Sequence, residues 1–311
     1  MLSGCLDPSD PGALVPPTAD QDPALPQIEI SVAGHRRTVH LEAHGDPDAP
    51  VILALHGAGH DFRALKAPLV DLTDEYRVVL WDQRGSGLSE RVSRDEITWG
   101  AAVEEIDAVA DRFSPSSPVT LIGHSFGAAY SALYLGRRPG RVRQAVLVEP
   151  LALTGQILNR VSDALWELDL AEEVFHDLTW INRFLSAADH ERMDYRYRML
   201  LRSTALDFYC NPDDLPAWPV WRSGAFVEYV RGERLEGRNH DFTAGLGEFP
   251  REVLILGSEC SALGHDFQVR YHRDLFREAR VVEIRDAGHR MWTEQPDAML
   301  AAVRAYLEQY R

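Results

Sequence analysis

Two residues whose chemistry works only in combination stand far apart in this chain, Ser125 and His289. Ser125 is the centre of Gly123-His124-Ser125-Phe126-Gly127, which fits G-x-S-x-G. That pattern sets a serine on a sharp strand-to-helix turn with its hydroxyl exposed. A serine hydroxyl is a poor nucleophile until a base removes its proton. The base in turn needs a third group to fix its tautomer. His289 is the candidate base, in Asp286-Ala287-Gly288-His289-Arg290, a loop that follows the last expected strand. The chemistry implied is acyl transfer: the serine attacks a carbonyl, the imidazole shuttles the proton, and water releases the acyl group.

The elements that must position these groups are legible as apolar patterns. Residues 28–32 and 37–43 alternate apolar and polar, as a hairpin does, with 33–35 near its turn. The continuous apolar run at 51–55 reads as a strand buried on both faces, 78–81 and 119–122 as further buried strands, and 142–148, 252–256 and 281–284 as the strands that follow. Helical spacing marks 62–72, 99–113, 126–135, 267–277 and 297–310, with Thr98 as the expected N-cap of the second. Together these predict an α/β fold with an eight-stranded, mostly parallel sheet flanked by helices. Such sheets carry reactive groups at the carboxyl ends of their strands, where Ser125 and His289 would both lie.

Residues 151–250 interrupt the alternation and read as helices at 157–170, 171–185 and 189–209 with loops between. Trp166, Trp180, Trp218 and Trp221 lie there, with Phe175, Phe184, Phe208 and Phe226. The expectation is a helical cap or lid inserted after the sixth strand. Its aromatics serve chiefly as glue between cap and core, with a pocket for an apolar or aromatic ligand as the alternative. Residues 1–27 are rich in Pro and Asp without Lys or Arg, and are expected to be a disordered tail. The core then comprises 28–150 and 251–311.

A net charge of -16 argues against a nucleic-acid partner and against an anionic membrane surface. No apolar run approaches a membrane span, so the expected partner is a small-molecule substrate. Three widely spaced cysteines, Cys5, Cys210 and Cys260, predict neither a disulfide framework nor a metal cluster. A reduced cytoplasmic protein is the simple reading. Leu2-Ser3-Gly4-Cys5 matches the cleavage box of a bacterial lipoprotein, although no charged and apolar signal regions precede it. An exported lipoprotein is therefore the alternative. His56 and His60 are four apart in a Gly-rich loop rather than on a helix, a poor arrangement for a metal. No metal or cofactor is expected.

Over about residues 28–311 the chain resembles the α/β-hydrolases. His56-Gly57-Ala58 after a strand is similar to that family's oxyanion loop. The resemblance implies that the backbone N–H groups of Ala58 and Phe126 bind the oxyanion, each worth ~3 kcal/mol. Asp82-Gln83-Arg84-Gly85-Ser86-Gly87-Leu88-Ser89 resembles the DQRGxGxS segment of the proline iminopeptidase branch. Its implied role is a tight turn, with the arginine tied to nearby carbonyls. Asp286 to His289, with Trp292 and Glu294-Gln295-Pro296, is similar to the same branch. That branch carries HGGPG at the oxyanion loop, whereas this chain has His56-Gly57-Ala58-Gly59-His60, which points away from the peptidase. A serine nucleophile also disfavours epoxide hydrolase and dehalogenase chemistry, which use aspartate there in this family.

The third group is the departure. The family's usual acid position, three residues after a glycine that follows the penultimate strand, falls on Cys260. A thiol is mostly neutral at pH 7 and substitutes poorly for a carboxylate. Three carboxylates remain: Glu149, Glu259 and Asp266. Glu149 is preferred, because a carboxylate after an apolar strand is costly unless paired or hydrogen-bonded. Certain haloalkane dehalogenases take their acid from that strand end. Glu259 is the runner-up, and a capping glutamate before Pro150 is the plain alternative for Glu149. The expected function is a serine hydrolase cleaving an ester, amide or related acyl bond of a small, apolar or aromatic substrate. A proline iminopeptidase-like aminopeptidase and a non-catalytic small-molecule-binding protein are the alternatives.

Overall fold

A computed structural model describes residues 17–157, 208–210 and 240–309. These form an eight-stranded sheet: β1 (Gln27–Val32), β2 (His35–His44), β3 (Val51–Leu55), β4 (Arg77–Trp81), β5 (Val119–His124), β6 (Val142–Val148), β7 (Val253–Ser258) and β8 (Ala279–Ile284). The order across the sheet is β1-β2-β4-β3-β5-β6-β7-β8. β1 and β2 pair antiparallel, as do β2 and β4, and the remaining pairs are parallel. Every residue of β3, β5 and β7 is buried, as strands covered on both faces require.

Helices α1 (Arg63–Leu69), α2 (Trp99–Phe113), α3 (Phe126–Arg137), α4 (His265–Tyr271), α5 (Met291–Glu294) and α6 (Pro296–Glu308) accompany the strands. Thr98 caps α2 as expected, its side-chain oxygen accepting the Ala101 N–H at 3.1 Å. α2 buries Ala101, Val103, Ile106, Val109 and Ala110. α3 is buried from Phe126 to Leu135, because its small residues let it lie close on the sheet. Two helices are shorter than the periodicity predicts. α1 gives way to a 3-10 turn at Val70–Asp74, and α4 ends at Tyr271 before another at Arg273–Leu275.

Two expectations need correction. Of the tail expected to be disordered over 1–27, the described residues 17–27 are ordered. Thr18 and Ala19 are buried, and the Ala19 N–H donates to the Leu88 carbonyl at 2.7 Å. The DQRGxGxS turn supplies that partner, which composition does not reveal. The second concerns the cysteines. Cys210 and Cys260 form a disulfide with Cα atoms 5.1 Å apart, across a sequence separation of 50. Their spacing carries no framework signature, and only the fold brings them together.

The chain leaves β6 and returns to β7 along one path. Thr154 bridges Asp241, the Gly155 N–H donates to His240, and the Phe242 N–H donates to Leu153. The helices expected at 157–170, 171–185 and 189–209 fall almost wholly outside the described residues, as do Trp166, Trp180, Trp218 and Trp221.

Candidate active site

β5 runs out at His124, and Ser125 follows with φ 53° and ψ -113° before α3 begins. A non-glycine residue there is strained and persists only when its surroundings hold it. They do: the Ser125 N–H donates to Val148 at 2.8 Å, and its carbonyl accepts from Ala129 and Leu151. A Cβ at Gly123 would lie 2.4 Å from the Gly127 carbonyl oxygen, and one at Gly127 would lie 2.2 Å from that of Leu55. The two glycines are therefore what allow so sharp an elbow.

Parallel register aligns the neighbouring strand ends. His124 pairs with Val148, Val148 with Leu256, and Ser258 with Ile284. The residue after β6 is Glu149, fully buried with φ 42°. Its Oε2 accepts from His289 Nδ1 at 2.5 Å. Its Oε1 accepts the Ser258 N–H at 2.7 Å and the Ser258 hydroxyl as well. Burial alone would raise the Glu149 pKa, but the bonds from His289 and Ser258 outweigh it and hold the carboxyl below its ordinary value. An Nδ1–H given to a carboxylate leaves Nε2 of the neutral imidazole as a proton acceptor.

The structure thus brings together the ends of β5 and β6 and the loop after β8, with Ser125 and His289 8% and 9% exposed. Glu259 and Asp266 sit elsewhere. Glu259 is exposed and accepts the Asp286 N–H at 2.9 Å, bracing the histidine loop from outside. Asp266 is fully exposed on α4 beside His265.

His124 supports the same loop. Its Nε2–H donates to the His289 carbonyl at 3.1 Å, and its ring packs on Trp292 with centroids 3.9 Å apart. Burial, with the nearby His289 and His60, pushes the His124 pKa well below its ordinary value, so it serves as a neutral donor. The expected oxyanion loop is fixed from beneath. His56 Nδ1–H donates to the Gly57 carbonyl at 2.9 Å, while its Nε2 accepts the Gln83 N–H at 3.1 Å. His60 Nδ1–H donates to the Ala58 carbonyl at 2.7 Å. Phe126 is anchored by its ring, which packs edge-on to Tyr130 at 4.9 Å and against Trp99 at 5.9 Å.

The DQRGxGxS segment is a structural turn, with its arginine tied to a carbonyl as expected and to a carboxylate besides. Arg84 donates to one carbonyl, that of Glu96, at 2.9 Å, and through Nε to the buried Glu105 carboxylate at 2.8 Å. Asp82 accepts the Phe62 and Leu88 N–H groups and pairs with His40. Sequence reasoning missed Ser258 and Gln83 altogether. The one available signal was a hydroxyl residue ending β7, beside the position where the family's usual acid falls.

A family model described as "Alpha/beta hydrolase family" matches residues 51–302. The chain belongs to the α/β-hydrolase family. Among its relatives is a 2-(acetamidomethylene)succinate hydrolase from Mesorhizobium japonicum, 24% identical over 280 residues that cover 88% of this chain and 92% of that protein. The proline iminopeptidase PfmaB of Pestalotiopsis fici is 33% identical over 110 residues, which cover 33% of this chain and 37% of that one. A thermophilic esterase from Thermogutta terrifontis superposes with a TM-score of 0.63 at 19% identity, covering 91% of this chain and 98% of that one, a likeness of fold. This α/β-hydrolase is an enzyme among named hydrolases.

Proposed function

We propose that this α/β-hydrolase is a serine hydrolase that cleaves an ester, amide or related acyl bond of a small, apolar or aromatic substrate. Ser125 attacks the carbonyl carbon, and His289 Nε2 takes the hydroxyl proton. The tetrahedral oxyanion sits on the Ala58 and Phe126 N–H groups. Collapse expels the leaving group, which leaves with the proton held on His289. Water then attacks the acyl-serine with His289 again as base, releasing the acid and restoring Ser125. Glu149 holds the imidazole in the required tautomer throughout. No cofactor enters these steps.

The observation that carries this reading is the 2.5 Å contact between Glu149 and His289 at the strand end next to the Ser125 elbow. A buried carboxylate aimed at an imidazole is expensive to maintain without a use for it. We also infer that 151–250 is a cap between the core segments 28–150 and 251–311, supported by the pairing of Thr154 with Asp241 at its base.

For location, we infer an oxidising compartment, because disulfides such as Cys210–Cys260 persist there and are rare in reduced cytoplasm. Among the described residues no helix is long and apolar enough to cross a membrane.

The test is labelling by a fluorophosphonate, with Ser125→Ala and His289→Ala as controls. Labelling that needs both residues supports the reading, and well-folded protein that stays unlabelled makes it a binding protein instead. A panel of p-nitrophenyl esters of graded length beside aminoacyl anilides then separates esterase from aminopeptidase activity.

A further inference from the structure

The Cys210–Cys260 disulfide joins two short segments that both grip the loop bearing His289. On one side, the His289 N–H donates to the Phe208 carbonyl at 2.6 Å. The Phe208 ring lies 5.3 Å from the imidazole, centroid to centroid. Contact here is close: a Cβ at Gly288 would stand 2.2 Å from the Phe208 carbonyl oxygen and 2.6 Å from the Tyr209 Cα. Arg290 extends the contact, with its guanidinium carbon 5.9 Å from the centre of the Tyr209 ring.

On the other side, three consecutive residues hold the site. Ser258 bonds Glu149, Glu259 accepts the Asp286 N–H, and the Cys260 N–H donates to the Ala287 carbonyl at 3.0 Å. The disulfide closes a ring that runs from His289 through Phe208, Cys210 and Cys260 to Ala287 and back to His289. Phe208 lies two residues from Cys210, so the bridge limits how far its carbonyl can move from the His289 amide. Cys260 is exposed at the position where the family's usual acid falls.

We propose that the Cys210–Cys260 disulfide is a positioning element for His289. It keeps the Phe208 carbonyl on the His289 amide and so sets the imidazole against Glu149. The inference rests on the serine hydrolase reading for its effect on turnover. A displacement of about 1 Å in a catalytic group can cost about a hundredfold in rate. Loss of the bridge is therefore read in kcat rather than in KM.

The experiment uses the full chain carrying Cys5→Ser, so that the bridge is its sole cysteine chemistry. Dithiothreitol reduces the bridge: two electrons and two protons pass to the protein, giving two thiols and the cyclic disulfide of the reagent. Both forms are compared at a temperature where circular dichroism shows each folded. Hydrogen exchange of the peptide containing His289 is followed by mass spectrometry, together with the fluorophosphonate labelling rate, kcat and KM. The expected result is loss of protection at the His289 amide, with labelling rate and kcat falling at least about tenfold and KM within about twofold. Cys210→Ser and Cys260→Ser should reproduce this and show no further response to dithiothreitol. A purely structural staple would lower the melting temperature and leave these readouts unchanged, which overturns the proposal. If the bridged protein neither labels nor turns over, the serine reading fails. The exchange measurement then still decides whether the bridge holds the loop, and unchanged protection overturns it.

Discussion

Glu149 meets His289 across 140 positions of sequence, carboxylate Oε2 to imidazole Nδ1 at 2.5 Å. The carboxylate is fully buried and its other oxygen is taken by Ser258. Its orientation is fixed by these partners.

Glu149→Gln should therefore lower kcat by about 10³- to 10⁴-fold, as loss of the orienting acid does when the imidazole adopts the wrong tautomer. Glu259→Gln should stay within about threefold, because that side chain braces the loop from an exposed position and does not orient the imidazole. Steady-state kinetics on the best ester of the panel checks both. Equal losses would remove Glu149 from its role.

Ser258→Ala keeps the backbone N–H on Glu149 and deletes only the hydroxyl bond. Burial favours the protonated carboxyl, and the hydroxyl is one of the bonds opposing that tendency. The Glu149 pKa should rise, moving the acid limb of the kcat/KM profile to higher pH. The accompanying loss at neutral pH should be worth ~1–2 kcal/mol. A pH–rate profile with an unmoved acid limb would refute the link.

Acid should destabilise the fold through its buried histidines. His272 is fully buried, donates from Nδ1 to Gln268 at 2.6 Å, and accepts the Leu153 N–H at Nε2. That pattern requires neutral imidazole, and burial depresses its pKa to about 3 from an ordinary 6.5. The unfolded chain binds the proton more readily, so the stabilising contribution is complete above 6.5 and declines as pH falls toward 3. At pH ~4 the loss should approach ~3 kcal/mol from this residue. His56, His60 and His124, all depressed by burial, act in the same direction. Urea titrations across this range should show the slope, and His272→Gln should flatten it.

Breaking the buried pair beneath the DQRGxGxS turn should cost stability. Arg84 and Glu105 meet at 2.8 Å with side chains 4% and 5% exposed. Glu105→Gln leaves the guanidinium charge buried without its counter-charge, an outcome that typically costs ~3–5 kcal/mol. The melting temperature should fall while activity per folded molecule is retained at low temperature. A variant as stable as the parent would show that the pair is not what holds the turn.

Much of this site is legible in one dimension. The elbow is a local object: a buried strand, two glycines that tolerate no Cβ, a serine and a helix of small residues are contiguous, so Ser125 needs no tertiary information. His289 is nearly so, because a loop after the last strand of a parallel sheet must open at the same edge. The central strands β3, β5 and β7 are mostly apolar stretches that burial on both faces explains.

The identity of the acid's partners is a different kind of fact. Glu149, Glu259 and Asp266 are chemically equivalent in a list of residues. Strand order and the pairing of Val148 with Leu256 put Glu149 beside Ser258 and within reach of His289, and leave the other two at the surface. The Cys210–Cys260 bridge was invisible for the same reason. Contacts between distant positions depend on register and on the path of a long excursion, and neither leaves a periodic trace in the chain. What the residues alone determined was the candidate serine on its elbow, the candidate histidine on its loop and the layered sheet that carries them. The tertiary structure alone decided which carboxylate and which cysteines were near enough to matter, because proximity across the sheet is set by hydrogen-bond register rather than by any local preference.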